Sequence, residues 1–171
     1  MISIRAEELE DIPAVREVNE RAFGQPAEAN VVDKLRQTCD GLLSLVAVVE
    51  NIVVGHILFS PVIAECDGRT VCGMGLAPMA ILPESQRQGI GAALINNGIA
   101  MLKNQDCPFV IVLGHPEYYQ RFGFEPASRY GLRSKWNGVP DEAFMILIFD
   151  RGALNGCRGV VRYRDEFDEA V

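Results

Sequence analysis

The spacing of apolar residues changes period several times along the chain, and each change predicts an element. Ile2-Ser3-Ile4-Arg5 alternates as a short half-buried strand does. Leu9, Ile12, Val15, Val18 and Ala22 recur at near-helical spacing around Asp11, which is placed to cap that helix, with Pro13 tolerated in its first turn. Gly24-Gln25-Pro26 breaks the helix. A second is predicted over residues 28–38, with Val31, Val32 and Leu35 inward and Gly41 as its end. Strand-like runs follow over residues 43–49, 52–62 and 70–82. Glu50-Asn51 turns the first into the second, and Asp67-Gly68, a hairpin dipeptide, turns the second into the third. An antiparallel meander is expected. Pro78 cannot donate a ladder hydrogen bond, so the third strand should bulge or detach near it.

Residues 89–103 return to helical spacing, with Ile90, Leu94, Met101 and Leu102 on one side. Phe109-Val110-Ile111-Val112-Leu113 is an unbroken apolar run between Pro108 and Gly114, the pattern of a strand buried on both faces and paired in parallel after a crossover helix. Residues 143–149 form one more strand, followed by an apolar-polar tail. The fold class is mixed α/β, antiparallel first with a parallel crossover in the middle. No repeat or linker divides the 171 residues, so a single domain over 1–171 is expected.

Composition narrows the chemistry. Net charge is −7, and only Lys34, Lys103 and Lys135 are lysines, which argues against a phosphate-backbone binder. No apolar run reaches the ~18 residues of a membrane span. Acids within Met1–Glu8 replace the apolar run of a signal peptide, so a cytoplasmic protein is expected, with no nucleic-acid or membrane partner. Five cysteines without a C-x-x-C pair are expected to behave as small hydrophobes in a reducing compartment, and two histidines make a metal site unexpected.

The segment from Ile81 and Leu82 through Gln86, Arg87, Gln88, Gly89, Ile90, Gly91 and Ala92 reads as strand end, glycine turn and helix start. Glycines let the backbone approach an anion, and the first N–H groups of a helix point at it with a favourable dipole. Arg87 would add a charge-assisted hydrogen bond. Such a turn serves either a phosphate or close helix–strand packing. The dinucleotide fingerprint fails because Leu94 stands at its third glycine, and a P-loop tripeptide is absent.

Gln86-x-x-Gly89-x-Gly91 resembles the acetyl-coenzyme A motif of the GNAT superfamily of N-acetyltransferases. The segments Val54–Pro61, Phe23 to Glu28 and Leu113–Phe124 are similar to its YhbS-like branch, although an acidic residue is expected there where His115 stands. The resemblance implies the GNAT fold, with strands at 70–82 and 109–113 splayed apart. It implies acetyl-coenzyme A as co-substrate, without a metal. The backbone of Ile81 and Leu82 would pair with the pantetheine arm as an added strand, with the amide near Leu82 as oxyanion donor, and Gln86 to Ala92 would hold the pyrophosphate. Tyr119, four residues before Gly123-Phe124, occupies the position of the catalytic acid.

Acetyl transfer needs a neutral amine, yet roughly one alkylamine in 10³ is deprotonated at pH 7, so the acceptor must be desolvated or meet a base. His115 and Glu28 are candidate bases set against plain loop and helix-surface roles. His56 in its apolar strand reads as structural, Glu84 as solvated, and Trp136 as either a lid or a core plug. The acidic balance favours a cationic acceptor such as a polyamine, aminoglycoside, lysine side chain or peptide N-terminus. A non-catalytic acyl-coenzyme A sensor of the same fold is the alternative, and a homodimer is compatible with either.

Overall fold

The computed structural model describes residues 1–170, which fall into two compact units. Both are mixed α/β. The first comprises Met1–Phe59, Ala77–Ala100 and the residues from Asp165 onward. In it β1 (Ile2–Ala6) pairs antiparallel with β2 (Leu43–Val49), which pairs antiparallel with the first part of β3 (Ile52–Cys66). Helices α1 (Ile12–Phe23) and α2 (Ala27–Thr38) bury Val15, Val18, Val31, Val32 and Leu35 as their spacing predicts, whereas Ile12 and Ala22 are half-buried and Leu9, in the 3-10 turn before α1, is exposed. Burying each such side chain contributes about 1.5–3 kcal/mol. Asp11 is the N-cap residue of α1, as expected, but its side chain makes no cap bond. Its carboxylate turns back to accept two bonds from Arg5 (2.6 and 3.0 Å) and one from the Glu8 N–H (2.7 Å). The second helix ends at Thr38, before Gly41, with Cys39 already extended.

The second unit comprises Ser60–Leu76 and Met101–Arg164. Here the first part of β4 (Arg69–Ile81) pairs in parallel with β5 (Phe109–Leu113), and β5 pairs antiparallel with a strand at Phe144–Ile148. The four residues Phe109 to Val112 are fully buried, as a strand covered on both faces must be. Short strands β6 (Glu125–Pro126) and β7 (Leu132–Ser134) precede that strand, which is β8. The expected tail is instead partly a strand, β9 (Gly159–Arg162), antiparallel to the end of β3 and parallel to β7. Four residues with one long-range partner on each side leave no local periodicity to read.

The cysteines also differ from expectation. Cys66 at the end of β3 and Cys157 ahead of β9 form a disulfide across 91 positions, with Cα atoms 5.0 Å apart. Among the described residues no helix is long and apolar enough to cross a membrane.

Candidate active site

Pro78 has the effect its chemistry predicts. The parallel register of β4 with β5 runs only from Met74↔Val110 to Leu76↔Val112, and the Ala77–Pro78 bond just beyond it is cis. On the other edge of β4 the Leu82 N–H donates to the Val54 carbonyl at 2.9 Å. Counting outward from the two-residue Asp67-Gly68 turn, Leu82 would face Val53, so the hairpin contains a register slip. The Leu82 amide is therefore engaged and is not the free oxyanion donor the sequence suggested. Backbone groups alternate sides along a strand, so the N–H and C=O of Ile81 face the opposite edge. There the Ile81 carbonyl accepts a bond from Gln86 Nε2 at 3.2 Å.

Past Ile81 the chain makes a 3-10 turn (Pro83–Ser85) and an exposed loop before α3 (Ile90–Asn104). Arg87 (φ 63°) and Gly89 (φ 82°) both take the left-handed conformation, which costs an L side chain roughly 1–2 kcal/mol and glycine nothing. The first intrahelical bond runs from Ala93 N–H to the Gly89 carbonyl (3.1 Å). The N–H groups of Ile90, Gly91 and Ala92 thus have no partner among the described residues and point out of the helix start. Gln86, Arg87, Gln88 and Gly89 are exposed around them, and Arg87 has no ion pair among the described residues. Free N–H donors at a helix start beside a guanidinium are the groups that an anion meets in such a turn.

The helix start is held by packing beneath it. A Cβ on Gly55 would lie 2.9 Å from Ile81 Cδ1 and 3.1 Å from Ile90 Cγ2, so glycine there lets α3 sit directly on β3 beside the end of β4. Gly98 lies against Phe59 in the same way. Glu84, whose charge would oppose an anion, accepts from both terminal guanidinium nitrogens of Arg21 (3.0 and 2.8 Å).

His56 is structural. It is fully buried, and Asn19 Nδ2, oriented by its bond to the Val15 carbonyl (2.9 Å), donates to His56 Nδ1 at 3.1 Å. Nε2 must then carry the proton and meets Ser44 Oγ at 2.9 Å. Burial, aided by the charge of Arg36, pushes the imidazole pKa down to about 3. A neutral histidine without water contact cannot serve as the base.

In the second unit, Tyr119 ends the short helix α4 (Pro116–Tyr119) just after β5. Its ring is buried edge-on against Phe124 (5.8 Å) and Tyr118 (5.1 Å). A Cβ on Gly114 would lie 2.4 Å from the Tyr119 ring, so that glycine is what admits it. The hydroxyl has no protein partner among the described residues and is not sealed from solvent. Burial first, and Tyr118 second, push its ionisation well above the ordinary phenol range, so it is protonated at any working pH. Tyr118 packs between Tyr119, Phe122 and Arg121.

His115 is exposed at the start of α4, and Glu28 is half-buried in the first turn of α2, accepting from Gln25 Nε2 (3.1 Å). Among the described residues neither has an ion-pair partner. Trp136 stacks on Tyr163 (5.4 Å between centroids). Tyr163 had no signal in the sequence. Its buried hydroxyl lies 3.1 Å from the Leu76 carbonyl and 3.2 Å from that of Ile111. No group of three His, Cys, Asp or Glu side chains among the described residues could hold a metal ion.

Comparison with known proteins gives the class first. Residues 3–127 match the family model of an acetyltransferase (GNAT) domain. The uncharacterized N-acetyltransferase YhbS of Escherichia coli K12 is 36% identical over 168 residues, covering 96% of this chain and 98% of the relative. The crystal structure of Escherichia coli YhbS in complex with CoA superposes with a TM-score of 0.87 at 34% identity, covering 98% of this chain and 92% of that one. A GNAT acetyltransferase from Brucella melitensis in complex with acetyl-CoA gives 0.77 at 34%, covering 98% and 99%. The chain belongs to the GNAT family of N-acetyltransferases, with its mixed parallel and antiparallel sheet and flanking helices.

Proposed function

We propose that this enzyme, working as a single domain, transfers the acetyl group of acetyl-coenzyme A to a cationic primary amine by direct attack in a ternary complex. The observation that carries this is the row of N–H groups at Ile90, Gly91 and Ala92, without partners among the described residues, at the start of α3 behind the exposed turn of residues 86–89. Relatives 34% identical hold CoA and acetyl-CoA, which supports the same ligand here.

In this reading residues 86–92 hold the pyrophosphate, with Arg87 as the charged donor, and the β4 end at Ile81 and Leu82 takes the pantetheine arm. Ile81 supplies the outward backbone edge, and Leu82, already bonded to Val54, fixes that edge in place. The neutral amine attacks the thioester carbonyl, and the oxygen of the tetrahedral intermediate is met by an outward amide of β4. Such a donor is worth about 2.7–4 kcal/mol. Tyr119 donates to the leaving sulfur. Its phenol is held protonated, so the proton it yields is replaced from the ammonium of the intermediate. The step balances: a C–N bond forms, the C–S bond breaks, and one proton passes from nitrogen to sulfur. The −7 charge of the chain favours a cationic acceptor.

The test is free-thiol release from acetyl-coenzyme A across a library of primary amines, with Tyr119→Phe alongside. Turnover should fall about 10²–10⁴-fold in the variant while coenzyme A affinity is retained. Wild-type protein that binds the carrier yet acetylates no amine would refute the reading in favour of a sensor.

A further inference from the structure

We propose that Tyr163 is a positioning residue that fixes where β4 and β5 part, and so where the thioester end of the acyl carrier comes to rest. The inference rests on the carrier reading above and goes beyond it to a residue that the family motif does not contain.

Tyr163 follows β9, far along the chain from the strands it touches, yet its hydroxyl reaches both of them. Leu76 and Val112 form the last rung of the parallel register, and the carbonyls of Leu76 and Ile111 accept from this one hydroxyl. A phenol has a single proton, so it is shared between the two oxygens or alternates between them. Either way it ties the two strands at the rung after which β4 leaves β5.

Packing makes that tie rigid. A Cβ on Gly75 would lie 2.4 Å from Tyr163 Cε1 and 2.7 Å from Val62 Cγ1, so the ring fills the space over a strand position that has no side chain. Trp136 stacks on it with an interplanar angle of 24°. The ring is 3% exposed, and burial pushes its ionisation far above the ordinary phenol range, so the donor is never lost to titration. Trp136, which the sequence left as lid or plug, is the backing for this tyrosine.

On the carrier reading, the acyl group comes to rest where the Leu76–Val112 rung ends and the parallel pairing stops. Loosening that end should disturb the arm and leave the nucleotide end alone. The test is Tyr163→Phe, with calorimetric Kd values for coenzyme A and for 3′-phospho-ADP, the nucleotide fragment that lacks the arm, and the KM for acetyl-coenzyme A. Losing this buried donor should weaken coenzyme A about tenfold and raise the KM by a similar factor, while the fragment stays within about twofold of wild type. Gly75→Ala, which displaces the ring but leaves residue 163 intact, should show the same split and serves if the first variant does not fold. Equal weakening of both ligands, or of neither, overturns the inference. Wild-type protein that binds neither ligand overturns the carrier reading, and this inference with it.

Discussion

Acidification from pH 7 to pH 5 should cost the folded chain about 2 kcal/mol through His56 alone. In the unfolded chain its imidazole titrates near the ordinary value of about 6.5, whereas in the fold burial holds it at about 3. Between those values the unfolded state binds a proton that the folded state refuses, so stability falls with decreasing pH and is flat above about 7. The magnitude follows from RT ln[(1 + 10^1.5)/(1 + 10^−0.5)], which is about 1.9 kcal/mol. The structural reason is specific. A proton at Nδ1 would set an N–H against the Asn19 amide hydrogens, since the Val15 carbonyl fixes that amide's orientation. Asp11, Glu84 and Glu125 are held below the ordinary carboxylate range and add little above pH 5. The assay is urea unfolding followed by the fluorescence of the single tryptophan, at pH 5 and pH 7, for wild type and His56→Gln. Glutamine keeps one acceptor and one donor but does not titrate. Wild type should lose about 2 kcal/mol more than the variant. Equal losses would refute a neutral buried histidine.

Two more outcomes follow from contacts outside the carrier loop. Gly114→Ala forces a methyl against the Tyr119 ring, so it should cost about 1–3 kcal/mol in thermal unfolding and slow turnover at saturating carrier; unchanged melting and turnover would refute the packing. The Cys66–Cys157 bond should leave three thiols in denatured protein before reduction and five after, and its reduction should destabilise by about 4–5 kcal/mol on the chain-entropy account; five thiols without reductant would remove the bond from the picture.

The local elements were legible because each is specified by neighbours in the chain. The alternation of Ile2 to Arg5, the apolar block Phe109–Leu113 and the glycine turn at Gly89 each carry their own geometry, and so does Pro78, whose missing N–H marks the strand that leaves the ladder. The free N–H groups at the start of α3 were legible for the same reason: they follow from where a helix begins. What the sequence left undecided was every feature made by residues distant in the chain. Leu82 could be read as a strand end but not as bonded to Val54, because a one-residue slip in register changes which edge an amide faces. His56 read as apolar-strand filler, while its fixed tautomer depends on Asn19 and Ser44 from two other elements. Tyr163 lay in what read as a tail. Only the close approach of a side chain to a glycine 88 positions earlier, and to two carbonyls on neighbouring strands, gives it a place at the strand fork. Periodicity records which face of an element is dry; it holds no record of which partner covers that face, and partner choice is settled by shape and hydrogen-bond completion in the folded chain.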